Sequence, residues 1–276
     1  MKFLFWSFAA IGLFPVTFGA DVLQHGTPES VGMLSQPLKD MVQNLTAYTS
    51  QPIEPGSTTL IARDGTIVSA IAIGKRNLYA DSNGTLLPVA RRECATLDTI
   101  YDLASLSKLF TATAVLREFD AGRIDLNETV SHYIPEFGAN GKENITIIRL
   151  LTHTSGLAPD PVLDLWSPSF TSMQERYDNI MNSTLQSLPG TAFIYSDINY
   201  MTLRYVLEKV TGISFDLLIY SFTIPLGMKS TFYNRGNLEE SINPFYKRSA
   251  PTEFEIEVKG PSEPQRPQPV RGTVRK

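Results

Sequence analysis

A chain of 276 residues, 42% hydrophobic and with a formal net charge of −4, suits one large domain or two interleaved lobes, and it lacks the basic surplus that nucleic acid attracts. Its single cysteine, Cys94, excludes an internal disulfide framework, a zinc finger and a redox pair, and is expected to be a buried structural thiol. Three histidines without an H-E-x-x-H pattern give a metallohydrolase little to build on, so neither metal nor cofactor is expected.

In chain order, Lys2 precedes an apolar run from Phe3 to Phe14, then Pro15 and the small pair Gly19-Ala20. This reads as a secretory signal peptide over residues 1–20, too short for a comfortable membrane span. The mature domain is expected over 21–276, secreted and free of the membrane after cleavage. Sequons at Asn44, Asn83, Asn127, Asn144 and Asn182 agree with a secreted glycoprotein.

A helix is predicted from Ser35, with Leu38, Met41, Val42 and Leu45 on its apolar face. Thr58 to Ala62 and Thr66 to Ile73 are rich in β-branched residues and read as strands, joined by the hairpin signal Asp64-Gly65. Asn77 to Arg92 is polar and irregular, as a surface loop would be. Ser105-Leu106-Ser107-Lys108 then opens a stretch with no further charge until Arg117. A helix apolar on all sides is expected to be buried, running from near Asp102 to Gly122. Ser105 and Lys108, three residues apart, share one helical face. A hydroxyl beside an amine at a helix N-terminus is what a nucleophilic serine needs: a neighbouring base, and N–H groups that favour developing negative charge. Taken alone, S-x-x-K also arises with Ser105 as a cap and Lys108 reaching to solvent.

Further on, Ile145 to Leu151 leads into Thr152-His153-Thr154-Ser155-Gly156-Leu157, and Trp166 to Ser187 is predicted to be partly helical. Tyr195-Ser196-Asp197 precedes a helix with Ile198, Met201, Tyr205 and Leu207 to Val210 as apolar positions and Gly212 as its stop. Ser214 is predicted to cap one more helix, ending before Pro225. Thr252 to Val258 alternates as a strand does, and the proline-rich residues beyond it read as a tail.

Together, Ser105-x-x-Lys108, the segment Leu150 to Leu157 (LLTHTSGL) and Tyr195-Ser196-Asp197 resemble the serine β-lactamase-related family, which holds class C β-lactamases, D-alanyl-D-alanine carboxypeptidases and esterase-like relatives. The resemblance runs from about Thr27 to Val274. It implies an α/β (α+β) fold: an antiparallel sheet lobe flanked by helices, a mostly helical lobe, and Ser105 between them. It implies acyl transfer to Ser105 from a small-molecule ester, amide or lactam. Lys108 and Tyr195 would share the proton, since a phenol of pKa about 10 becomes a usable base beside an ammonium. Asp197 would stand on the substrate-binding side, and His153 would orient the loop beneath the site. Water would release the acyl group, or an alcohol or amine would capture it, which separates a hydrolase from an acyltransferase.

Two departures qualify the pattern. Asp197 stands where the β-lactamase pattern has asparagine, an exchange familiar among the esterase-like relatives. The third motif of the family, K-T-G or H-x-G on a strand facing the serine, is not found after Tyr195. With Ala250 to Glu253 and Arg271 to Val274 resembling an internal family segment, the expectation is a C-terminally truncated member with an incomplete sheet. A secreted pseudoenzyme or binding module on the same scaffold is the alternative. An α/β-hydrolase is rejected, because no G-x-S-x-G elbow is present.

Overall fold

The structure, a computed structural model, describes residues 23–50, 55–81, 84–163, 165, 167, 169–233 and 245–251. The expected leader, the sequon at Asn83, Trp166, the strand from Thr252 and the tail lie outside these residues. The described residues divide into two compact units: those up to Gly74 with Ala95–Leu97, and those of Lys75–Cys94 with the ones from Asp98 onward.

The first unit holds strand β1 (Gln24–His25), helix α1 (Ser35–Thr49), strand β2 (Gly56–Arg63) and most of strand β3 (Thr66–Asn77). β2 and β3 form the predicted antiparallel hairpin, with Arg63 opposite Thr66 and the register slipping at Ile61/Ala62. Their β-branched residues suit a pleated surface. Asp64 (φ 48°) and Gly65 (φ 74°) both take the left-handed conformation that a tight two-residue hairpin turn demands. β1 adds to the other edge of β3, and does so in parallel, Gln24 against Thr66. On α1, the predicted residues Leu38, Met41, Val42 and Leu45 are the less exposed ones.

In the second unit the end of β3 pairs with strand β4 (Glu93–Cys94), Lys75 opposite Cys94. A 3₁₀ turn, Ala104–Leu106, leads into helix α2 (Ser107–Asp120), which ends at Gly122 with φ 69°. Helices α3 (Val130–Tyr133), α4 (Ile147–Leu151), α5 (Met173–Met181), α6 (Asp197–Thr211) and α7 (Phe215–Thr223) follow. Ser214 precedes α7 as predicted, although its side chain makes no capping bond. α2 packs on α6 and α7, and α4 on α6. The core lies among them, with Val115, Val130, Phe137, Leu150, Leu203 and Leu207 fully buried.

Two expectations are corrected. α2 is buried on one side only. Thr111, Ala114, Val115 and Glu118 face the core, while Leu109 (65% exposed) and Leu116 (46%) face solvent. Composition showed that every side of the helix could be buried, but what covers a side is decided by the neighbours that fold against it. Cys94 is exposed, not buried, because β4 is a two-residue strand. Its sulfur accepts a hydrogen bond from Lys75 Nζ at 3.1 Å.

Candidate active site

Ser105 sits in the 3₁₀ turn that starts α2, directly after Ala104, whose φ of 42° is unusual for a residue with a side chain. Asp102 accepts the Ala104 N–H through Oδ1 at 2.8 Å and fixes that turn. One turn on, Lys108 Nζ donates to Ser105 Oγ at 3.2 Å, as the three-residue spacing predicts. The same ammonium donates to Asp197 Oδ1 at 2.6 Å, an ion pair with both side chains mostly covered. Asp197 is the first residue of α6, so the α2–α6 contact brings lysine and carboxylate together across 89 positions of sequence.

Tyr195 completes the cluster. Its ring lies beside the ammonium, with Lys108 Nζ 4.7 Å from the ring centre, and its phenol feels both Lys108 and Ser105. Partial burial alone would push the Tyr195 pKa up. The bonds to Lys108 and Ser105 and the positive charge of Lys108 outweigh it, and the pKa ends below its usual value. Burial likewise works against the charge on Lys108, but its bonds to Asp197 and Tyr195 prevail and the ammonium is held more firmly than usual.

The LLTHTSGL segment is the bed on which Tyr195-Ser196-Asp197 lies. His153, at φ 56°, accepts the Ser196 N–H on Nδ1 at 3.0 Å, and its carbonyl accepts the Ile194 N–H at 2.9 Å. Asn199 Nδ2 meets the same Nδ1 at 3.1 Å, while Ser155 Oγ donates to Asn199 Oδ1 at 2.6 Å. With Nδ1 used as an acceptor, the ring is neutral. Its pKa is lowered by burial first and by the Lys108 charge second, against the opposing effect of Asp197. The imidazole also lies 4.5 Å from the Tyr195 ring, centre to centre. His153 thus has the orienting place expected of it.

Sequence reasoning did not single out Asn199, Ser155 or Tyr200. Tyr200 faces Lys108, with Nζ 5.8 Å from its ring, and its hydroxyl donates to the Leu151 carbonyl at 3.0 Å. The signal was present: helical spacing from Asp197 puts Tyr200, Met201, Arg204 and Glu208 on one face of α6. These residues line a groove of about 720 Å³ that begins at Ser105 and Lys108. Phe110, Phe215 and Ile219 give it apolar walls.

The chain and its fold are similar to known proteins. The description "Beta-lactamase" fits residues 41–254, and the chain belongs to that family. A protein of Salmonella agona, provisionally named a D-alanyl-D-alanine carboxypeptidase, is 32% identical over 231 residues, which are 77% of this chain and 51% of its own. The chain therefore spans about half the length of the curated relatives it matches. Among solved structures, FmtA from Staphylococcus aureus is similar with a TM-score of 0.61 and 21% identity, over 82% of this chain and 57% of that one. A class C β-lactamase in complex with cefoxitin is similar with a TM-score of 0.64 and 20% identity, over 87% and 59%. At these identities the structures speak for the fold alone, which is of the β-lactamase type.

Proposed function

We propose that the protein is a secreted serine hydrolase that forms an acyl-enzyme with a small ester, amide or lactam. The observation that carries this is the convergence on Lys108: one ammonium bonded to Ser105 Oγ and Asp197 Oδ1, beside a phenol whose pKa is lowered. Ser105 is the nucleophile. Because Asp197 keeps Lys108 charged, Tyr195 is the better base, and it takes the proton as the Ser105 oxygen attacks the carbonyl carbon. The Ser105 N–H, in the turn that leads into α2, would be one oxyanion donor, as early helical N–H groups have no partner within the helix. The phenol then returns the proton to the leaving group and later activates the water that releases the acyl group. The apolar groove walls favour an acyl group with an apolar or aromatic portion.

Labelling with a fluorophosphonate and with a fluorescent penicillin tests the reading. Covalent label that disappears in Ser105→Ala supports it, and folded protein that takes neither label overturns it in favour of a binding module. The secreted state has its own check. N-terminal sequencing of material from the culture medium is expected to begin near Asp21, and a sequence beginning at Met1 contradicts it.

A further inference from the structure

Three asparagines with no part in acyl transfer gather on one patch of the second unit. Asn127, Asn144 and Asn182 each open an N-x-T triplet, completed by Thr129, Thr146 and Thr184. The backbone ties the first two together. Thr129 and Thr146 form an antiparallel bridge, the Val130 N–H donates to the Ile145 carbonyl at 2.8 Å, and the Ile147 N–H donates to the Glu128 carbonyl at 3.1 Å. The third is tied in by the loop just before Asn144. Lys142 Nζ donates to the carbonyls of Met181 and Ser183 at 2.9 and 2.6 Å, and Asn140 Nδ2 donates to that of Asn182 at 3.0 Å.

The side-chain amides near this patch and near the site differ in their partners. Asn140, Asn179 and Asn199, which open no such triplet, bond internally: to the Asn182 carbonyl, to the Leu163 carbonyl and to His153. Asn127, Asn144 and Asn182 are exposed, and their amides have no hydrogen-bond partner among the described residues. A bulky, soluble substituent needs that open situation. None of the three lines the groove beside Ser105.

We propose that Asn127, Asn144 and Asn182 are N-glycosylated, and that the three glycans share one patch and leave the groove uncovered. The donor is a lipid-linked oligosaccharide diphosphate of the secretory pathway. A bond forms between the asparagine Nδ2 and the sugar's anomeric carbon, the bond from that carbon to the diphosphate oxygen breaks, the amide gives up one proton, and the lipid diphosphate departs. The sugar is added to the emerging chain, and the fold then accommodates it because each Nδ2 faces open space.

The test is the full chain expressed in a yeast host, with peptides mapped from both culture medium and microsomes. Enzymatic release of N-glycans turns each modified asparagine into aspartate. Conversion is expected at Asn127, Asn144 and Asn182 and absent at Asn140, Asn179 and Asn199. Thr129→Ala, Thr146→Ala and Thr184→Ala should each remove one step from the electrophoretic ladder, without dependence on the Ser105 chemistry. Unmodified asparagines at the three positions overturn the proposal, whether the chain is found in medium, microsomes or cytosol.

Discussion

The Lys108 ammonium stands between oxygens of different character, the Ser105 hydroxyl at 3.2 Å and the Asp197 carboxylate at 2.6 Å. A cation so placed is a poor proton acceptor and a good stabiliser of a neighbouring anion. Tyr195→Phe removes the proposed base and is expected to slow acylation by about 10²–10⁴-fold, the usual share of general acid–base catalysis. The pH dependence follows with its sign. Acylation rises with pH as the Tyr195 phenol ionises, at a pH below its ordinary value of 10.0, and the Lys108 charge persists above its ordinary 10.5. A rate profile that lacks this rising limb, or a Tyr195→Phe enzyme with full acylation rate, removes Tyr195 from the role. Ser107→Ala is the control, because the Ser107 hydroxyl meets Tyr233 and not the Lys108 cluster. A second lysine carries a different prediction. Lys142 is buried, and burial pushes its pKa down to about 8. The unfolded chain then holds more protons than the folded one between about pH 8 and 10.5, so the stability this group contributes rises with pH across that window. Lys142→Met leaves the Met181 and Ser183 carbonyls without their donor, a loss of about 1–3 kcal/mol. Melting curves of both proteins should diverge further as pH rises from 8 toward 10.5; a constant gap would contradict the shift.

At the scale of elements, the segment Thr152 to Leu157 and helix α6 act as one part. Gly156 has φ 83°, and a Cβ there would run into the Ser187 carbonyl oxygen. Gly156→Ala therefore strains the backbone and displaces the segment under Tyr195, and it is expected to lower both the melting temperature and acylation. His153→Phe keeps a ring but removes the acceptor for the Ser196 N–H, at about 1–3 kcal/mol for the buried group left unmade. Retained stability and retained acylation in both variants would show that the segment does not orient the site. These elements were legible to different degrees for physical reasons. α1, α6 and the β2–β3 hairpin announced themselves through periodicity, Gly212 and Asp64-Gly65, which are local signals. The partnership of Lys108 with Asp197 crosses 89 positions and has no local signal in the sequence. Asn199 and Ser155 were missed because a buried polar pair has no periodic signature. The solvent-facing side of α2 was missed because a pattern of apolar residues cannot say what lies against it.

On the scale of the whole molecule, burial is divided unevenly. Between residues 23 and 74 no described residue is buried, and Leu34, Tyr48 and Leu60 are openly exposed. The hydrophobic core belongs to the second unit, where α2, α4, α6 and α7 enclose Val115, Leu150, Leu203 and Leu207. Apolar burial contributes roughly 25 cal/mol per Å², so the cost of opening the backbone locally is small in the first unit and large in the second. Amides open in cooperative groups whose free energies follow this burial. In hydrogen exchange followed by mass spectrometry, the amides of β2 and β3 should exchange well before those of α6 between Leu203 and Leu207. The hairpin bonds are made, from Gly56–Gly74 to Arg63–Thr66, but hydrogen bonds exposed to water add little net stability by themselves. Protection of β2 and β3 equal to that of α6 would mean that something other than the described side chains covers the hairpin.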